Sequence, residues 1–352
     1  MERYIGIDAH LKSCTLAVMG SSGRRLQELV VETNGQALRT SVKALAGQKS
    51  ICLEEGELSE WLYELLMPLA SRVVVVQAQR RTGTKNDAVD AWQLADLLRR
   101  QAVRNPVYKA PGCFSGLREA VRGYQVTVRD VVRAKNRLRA VYRTRGVSVS
   151  GREIYRPEQR EAWLRKLPAA RRRLAELLSA QLDVLAAMAE QANRWLLEEA
   201  GRCPVVGLLA TAPGIGPVRA SQIVATVISP HRFRTKRQFW SYCGLAVVTR
   251  SSSDWELDPE GKRVRRKVAL TRGLNRNRHP LLKEVFKSAA SSIISLMPTH
   301  PLALNYQRLV GAGTKASLAR VTIARQLAAA VLAMWKHQEG YDSQRHNRQG
   351  AA

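Results

Sequence analysis

Four acidic residues, Asp8, Glu54, Asp87 and Asp90, are the side chains of this sequence best suited to chemistry. They stand in a chain of 352 residues in which 57 lysines and arginines outnumber 29 aspartates and glutamates, giving a formal charge of +28. A protein this basic attracts polyanions, whereas its carboxylates repel phosphate groups. A divalent metal ion reconciles the two, because carboxylate oxygens hold it while it bridges to a phosphodiester. The pattern therefore indicates an enzyme that acts on nucleic acid.

The elements that must position these acids alternate between strand and helix along the N-terminal part of the chain. The residue pattern predicts strands at 4–7, 14–19, 25–31, 50–53 and 72–76, and helices at 35–45, 58–69 and 87–100. Three hairpin-linked strands followed by two helix–strand units and a helix is the order of a ribonuclease-H-like α/β domain.

Asp8 and Glu54 each come directly after a predicted strand, Tyr4–Ile7 and Ser50–Leu53 respectively. The ends of these two strands are neighbours in a ribonuclease-H-like sheet. We therefore expect both carboxylates to contact the same metal ion. Glu55 is an alternative to Glu54 for this role.

Asp87 and Asp90 stand three residues apart at the start of a predicted helix, so they share one helix face. With the first two acids they are able to hold two Mg²⁺ ions about 4 Å apart, the arrangement that clamps the attacking and leaving oxygens of a phosphoryl transfer. Helix capping and the helix dipole also favour aspartate in a first turn, which gives each residue a structural alternative. His10 is interpreted as an exposed turn residue rather than a ligand.

The composition argues against a membrane protein and against a disulfide framework. The longest apolar stretch near the C-terminus, Leu327–Trp335, is much shorter than the roughly 20 residues that a membrane span needs. The first residues lack the layout of a signal peptide. The five cysteines are widely scattered with no CxxC pair, which fits a reducing cytosol.

Two long helices are predicted in the middle of the chain, after a linker at Asn105–Ser115. Apolar residues between Leu117 and Tyr142 follow a heptad-like spacing, and a second helical stretch covers about Pro157 to Glu199. We expect the two to form a long antiparallel hairpin or to pair with the same element of another subunit.

Two basic segments are the expected contacts for a polyanion. The first long helix carries nine lysines or arginines against two acids between Gly116 and Gly146, and a second basic stretch is Lys262–Lys267. Contacts of this kind bind phosphates without reading sequence. A Gly-Ile-Gly turn at Gly214–Gly216, between two predicted helices, either holds a phosphate on its backbone amides or is a tight turn between packed helices.

Several motifs resemble those of one family, the DEDD insertion-sequence transposases of the IS one-ten group, related to the pilin gene-inverting recombinase. Gly6-Ile7-Asp8, Leu53-Glu54 and Lys85-Asn86-Asp87-Ala88-Val89-Asp90-Ala91 resemble its RuvC-like N-terminal domain. Ala212–Pro217, Tyr242–Leu245 and Arg272–Arg276 resemble its C-terminal transposase domain.

The resemblance implies an α/β plus α protein. Its parts would be a RuvC-like, ribonuclease-H-like mixed-sheet domain at 1–104, a linker and coiled-coil-like helical hairpin for oligomerisation at 105–200, and a mainly helical transposase domain with a serine loop at 201–341. Residues 342–352 would be a tail. It also implies a prokaryotic, cytoplasmic recombinase that uses Mg²⁺, acts on donor and target DNA, is guided by a non-coding bridge RNA, and assembles active sites in a tetramer.

The resemblance further implies a serine nucleophile that forms a covalent phosphoserine with the DNA strand. The register against Arg250 and Trp255 indicates Ser252, with Ser251 and Ser253 as alternatives. Storing the phosphodiester as a serine ester needs no ATP, and the chain contains no Walker-type GxxxxGK[ST] loop.

Two other functions remain open on the sequence. One is a RuvC-like nuclease that hydrolyses branched DNA with water and uses no serine. The other is a non-catalytic RNA- or DNA-packaging protein whose acids are structural. Both leave the serine loop and the Arg272–Arg276 motif without a role.

Overall fold

The computed structural model describes residues 1–77, 87–103, 106–107, 114–249, 255–257, 259–265 and 271–343. The chain divides into two compact units, Met1–Cys113 and Phe114–Ala352. Ser252 and its alternatives, Ser251 and Ser253, lie outside the described residues.

The N-terminal unit is built on one mixed sheet of six strands in the order β3-β2-β1-β4-β5-β6. β1 pairs antiparallel with β2 and parallel with β4, which confirms the predicted mixed sheet. The elements of this unit are β1 Glu2–Ala9, β2 Ser13–Gly20, β3 Arg25–Glu32, α1 Gly35–Ala44, β4 Gln48–Glu54, α2 Ser59–Leu66, a 3₁₀ helix Met67–Leu69, β5 Arg72–Val76, α3 Asp87–Arg99 and β6 Pro106–Val107.

Helices cover both faces of this sheet, and the alternation of side chains along the strands decides which core each residue joins. Ile5 and Ile7 of β1 are fully buried in the core beneath α1 and α2. Tyr4 of the same strand packs instead against Ala91 and Ala95 of α3. Successive residues of β1 therefore face two different helical layers.

Two predicted elements of this unit differ from the structure. The linker predicted at 105–115 contains an edge strand, since Val107 of β6 pairs with Val75 of β5. A two-residue strand with a proline is suited to the edge of a sheet, where one side of the strand has no partner. The helix predicted over 58–69 ends at Leu66 and continues as the 3₁₀ turn that contains Pro68.

The C-terminal unit is mostly helical. Its helices are α4 Ser115–Arg143, α5 Arg160–Leu164, α6 Ala169–Gly201, α7 Pro204–Ala210, α8 Pro217–Val227, α9 Lys236–Tyr242, α10 Pro280–Leu296, α11 Pro301–Gly311 and α12 Ala316–His337. Three 3₁₀ helices cover Glu153–Tyr155, Pro157–Gln159 and Pro230–Arg232, and the short strands are β7 Val247–Thr249, β8 Trp255–Leu257, β9 Arg263–Arg265 and β10 Thr271–Leu274.

The long helices α4 and α6 pack against each other in opposite directions. Leu117 near the start of α4 shares a core with Leu196 near the end of α6. Leu138 near the end of α4 shares another core with Ala175 near the start of α6. The two helices therefore run antiparallel to each other.

The second long helix begins later than predicted. The stretch expected to be helical from about residue 157 is interrupted at residues 165–168, and α6 begins only at Ala169. Pro168 explains the interruption, because proline has no backbone N–H and disfavours helical geometry in the residue before it.

The helices α4 and α6 belong to the same compact unit as the C-terminal helices. Ala200 of α6 is buried in one core with Phe286 of α10 and Leu327 of α12. In the described part of the chain α12 alone is long and apolar enough to cross a membrane. It instead runs through this core, where Leu327 and Val331 are fully buried.

Candidate active site

Asp8 and Glu54 lie at neighbouring positions on the carboxyl edge of the sheet. Ile7 of β1 and Leu53 of β4 are register partners in the parallel ladder, and the two acids are the next residue on each strand. Because parallel strands end at the same edge, the polar side chains that follow them come close together. This is the placement that the sequence predicted for the pair.

A close approach of helix to strand carries Asp87 to the same edge. A Cβ atom on Gly6 would lie only 1.9 Å from the carbonyl oxygen of Ala91, and 2.6 Å from the backbone nitrogen of Ala95. The missing side chain thus lets α3 rest directly on β1. Asp87, in the first turn of α3, is thereby brought to the end of the strand that carries Asp8.

Asp8, His10 and Asp87 form a cluster whose ligand atoms all lie within 4.8 Å of one another. The Nε2 atom of His10 is 3.3 Å from Oδ2 of Asp8 and 3.3 Å from Oδ1 of Asp87. The Asp8 side chain is 15% exposed, whereas those of His10 and Asp87 are 48% and 55% exposed. The cluster is therefore anchored on the protein side by Asp8 and open to solvent on the other.

His10 belongs to this cluster, a position that the sequence did not indicate. It is exposed, as predicted, but its ring also lies between two carboxylates. The signal available in the sequence was its position two residues after Asp8, since residues two apart on an extended backbone project to the same side.

Glu54 and Asp90 are not members of this three-residue cluster. Glu54 lines a cleft of about 270 Å³ together with Asp8, His10 and Glu55. Strand alternation places Glu54 on the same face as Cys52, which packs against α3, whereas Glu55 follows the end of the strand. Asp90 is half-buried in the first turn of α3.

The donor set of the cluster suits a divalent cation. Two carboxylates offer the oxygen ligands that Mg²⁺ and Mn²⁺ take in proteins, and an imidazole adds a nitrogen ligand. Glu54, at the neighbouring strand end, is a further oxygen donor in the same cleft.

Two of the C-terminal motifs lie close to β7, the strand that directly precedes residues 250–254, the serine segment, in the sequence. β7 ends at Thr249, immediately before residues 250–254, and pairs with β10. The amide nitrogen of the Asn275 side chain donates to the backbone oxygen of Ser241 at 3.2 Å and to its Oγ at 3.0 Å. The Arg272–Arg276 motif is therefore hydrogen-bonded to Ser241, the residue directly before the Tyr242–Leu245 motif.

Comparison with protein families decides the identity. Residues 5–144 match the family model of the IS110-type DEDD transposases, which is described as "Transposase". Residues 206–294 match a second family model, described as "Transposase IS116/IS110/IS902 family". The chain belongs to the IS110 family of transposases. No match was found among curated proteins.

Membership of this transposase family agrees with the basic composition of the chain and with the cluster of Asp8, His10 and Asp87. A transposase binds DNA and cuts it, which agrees with the basic composition. DEDD-type transposases normally use a divalent metal, and the matched region contains Asp8, His10 and Asp87.

Replacing His10 by alanine should weaken binding of Mn²⁺ to this transposase by about tenfold. The loss should be smaller for Mg²⁺, because nitrogen ligands contribute less to its binding. Isothermal titration calorimetry with each metal measures the difference. His231→Ala, which removes an exposed imidazole elsewhere in the chain, is the matched control. Equal Mn²⁺ affinity in wild type and His10→Ala would contradict a ligand role for His10.

Proposed function

We propose that this transposase cuts and rejoins DNA at a metal-dependent site formed by Asp8, His10 and Asp87, with Glu54 and Asp90 completing the acidic set. The observation that carries the proposal is the convergence of the three ligand groups within 4.8 Å at the carboxyl edge of the sheet. The Lys-x-Asp-x-x-Asp-Ala motif of the sequence supports the inclusion of Asp90.

Asp8, Asp87 and His10 would hold the cation, and Glu54 would reach it from the neighbouring strand. A bound Mg²⁺ would neutralise charge on the scissile phosphate and make the attacking hydroxyl more acidic. Asp8 has its place because β1 is fixed in the centre of the sheet, and Asp87 because α3 is fixed on β1 at Gly6. Rigid elements of this kind hold reacting groups in a productive geometry better than loops do.

We propose further that Ser252 is the nucleophile, with Ser251 and Ser253 as alternatives. Its hydroxyl oxygen would form a new P–O ester bond while one P–O bond of the strand breaks. The serine proton would end on the released deoxyribose hydroxyl. Rejoining reverses the exchange, so that no external energy source is needed. The support for this step is the sequence motif, because residues 250–254 lie outside the described part of the chain.

A covalent protein–DNA adduct is the expected product when the transposase is expressed with its flanking DNA and mixed with element-end DNA, target DNA and Mg²⁺. Ser252→Ala should abolish the adduct, whereas Ser251→Ala and Ser253→Ala should retain it. Denaturing gel electrophoresis of labelled DNA separates adduct from free strands. An adduct that survives Ser252→Ala and disappears in one of the other variants would move the nucleophile to that serine.

A water-using nuclease is the second candidate, because the acidic cluster lies within the N-terminal unit alone. Such an enzyme would nick DNA without forming an adduct. Nicks that are unchanged in all three serine variants but lost in Asp8→Asn would establish this alternative and exclude the serine step.

A stripe of exposed arginines along α4 supports binding of donor and target DNA and of a guide RNA. The exposed members are Arg122, Arg129, Arg133, Arg137 and Arg143. Residues four apart lie on one face of a helix, so Arg129, Arg133 and Arg137 form a continuous row. A row of this kind binds phosphates without reading bases, which suits a system in which a bridge RNA selects the sites by pairing.

We propose that the protein self-associates to a tetramer. A row of exposed apolar residues on α6 supports this proposal. The exposed members are Leu174, Leu177, Val184, Met188 and Trp195, at the spacings of one face of a heptad repeat. A row of exposed apolar residues on a long helix is typical of a contact between protein chains. The cytoplasm is the proposed location, as for a protein that acts on chromosomal DNA.

Replacing Leu177 and Val184 together by glutamate should lower the oligomeric state, with a rise of about tenfold or more in the dissociation constant. Two charges would have to be buried without partners in the interface. Size-exclusion chromatography with light scattering measures the mass. Leu318→Glu, an equally exposed leucine on α12, controls for the added charge. An unchanged mass in the double variant would exclude this face of α6 as the interface.

A further inference from the structure

A second cavity lies in the C-terminal unit, and neither the acidic site nor the serine segment accounts for it. Its volume is about 510 Å³, and it is open to solvent and lined by residues of α4, α8 and α10 with His279. That size lies within the range of sites that enclose a small organic molecule. Its residues belong to one compact unit.

Arg219, on the α8 side of the cavity, is a half-buried cation without a carboxylate partner among the described residues. Its Nη1 atom donates to the carbonyl oxygen of Gly214 at 2.6 Å and to Oγ of Ser292 at 3.1 Å. Desolvation lowers the pKa of this guanidinium. Removing a cation from water without a neutralising anion is unfavourable, so an anionic group is the expected occupant near it.

The other walls combine rings, apolar side chains, amides and the exposed carboxylate of Glu284, which makes no ion pair with Arg219. Tyr124 and His279 contribute rings, Val128 and Leu281 contribute apolar surface, and Gln222 contributes an amide. Burial and the charge of Arg232 lower the pKa of His279, which favours the neutral form of its imidazole. Flat rings with a few hydrogen-bonding groups are the usual lining for an unstacked nucleobase.

The cavity also opens beside the arginine row of α4. Arg129 is a member of that row and lines the cavity as well. A nucleic-acid strand that follows the row would therefore pass the opening. This continuity selects a nucleotide over other molecules that carry both a ring and an anion.

We propose that this cavity binds one unpaired nucleotide extruded from a nucleic-acid strand. Its phosphate would lie near Arg219 and its base against Tyr124 and His279. The inference goes beyond the proposed function, because it concerns binding in the C-terminal unit and requires neither metal nor strand cleavage.

The test is the ratio of affinities for two labelled duplexes, one with a single bulged nucleotide and one fully paired, measured by fluorescence anisotropy in EDTA. Wild type should prefer the bulged duplex by about tenfold, the scale of stacking one base on aromatic residues. The preference should vanish when the bulge is abasic. Using DNA and RNA duplexes in parallel identifies the strand, and a preference in either supports the proposal.

Two variants distinguish binding in the cavity from a general effect of charge on nucleic-acid affinity. Arg219→Gln removes the cation, and Ser288→Met fills the cavity without removing a charge; both should bring the ratio close to one. Arg308→Ala, an exposed arginine on α11, should weaken both duplexes alike and leave the ratio unchanged. A wild-type ratio near one for both DNA and RNA, or a ratio that Ser288→Met leaves intact, would overturn the proposal. Measuring binding in Asp8→Asn as well keeps this result independent of the acidic site.

Discussion

Asp8→Asn is expected to reduce DNA strand cleavage by about a hundredfold or more while the transposase stays folded and bound to DNA. Asparagine preserves the size of the side chain but removes the charge from the least exposed member of the cluster. Charge stabilisation by a bound metal is worth several kcal/mol in phosphoryl transfer, and each 1.36 kcal/mol corresponds to a tenfold change in rate. Cleavage of labelled element-end DNA, with calorimetric titration of Mn²⁺ on the same protein, measures both consequences.

Asp96→Asn is the matched control for this experiment. Asp96 stands on the same helix as Asp87, but its carboxylate pairs with Arg99 and Arg100 rather than with the cluster. Both variants raise the net charge equally, so a general gain in DNA affinity would be common to them. Asp96 and Arg99 are half-buried and Arg100 is exposed, so loss of these pairs near the surface should cost about 1 kcal/mol, and cleavage should continue. Full cleavage by Asp8→Asn would show that the cluster is not the catalytic site.

Gly6→Ala is expected to destabilise the N-terminal unit by about 3 kcal/mol or more and to remove metal binding along with it. The added methyl group would meet backbone atoms of α3, which cannot move aside as the end of a flexible side chain could. Overpacking against rigid backbone typically costs 1–3 kcal/mol and occasionally more. Displacement of α3 would also carry Asp87 away from Asp8.

Gly20→Ala provides the comparison, because it adds the same methyl group to the same sheet. Its nearest neighbour would be the Cδ1 atom of Leu26 at 3.6 Å, an ordinary van der Waals contact. Hydrogen exchange of the β1 amides, measured in the full-length chain, reports on the stability of this unit. Equal protection in Gly6→Ala and Gly20→Ala would contradict the close approach of α3 to β1.

Much of the N-terminal fold was predictable because its patterns are local. Ile5 and Ile7 alternate with polar or small residues as a strand with two different faces requires. An acid at the end of each of two strands predicted that Asp8 and Glu54 meet at one edge, because these two strands are neighbours in a ribonuclease-H-like sheet. The family motifs likewise depend on short, contiguous runs of residues.

Element boundaries were less predictable where a single proline outweighed the surrounding pattern. Apolar residues continue through 157–199, yet Pro168 delays the start of α6. Pro106 and Val107 fall within the predicted linker, because an edge strand of two residues has no periodicity to detect.

The sequence by itself determined the basic charge, the order of strands and helices, the acids at the strand ends and the family to which the chain belongs. Only the tertiary structure decided that His10 lies between Asp8 and Asp87, and that Arg219 and His279 line one cavity with Tyr124. The physical reason is the range of the interactions. Local propensity acts over a few residues, whereas these sites depend on how closely a helix approaches a strand or another helix far away in the chain.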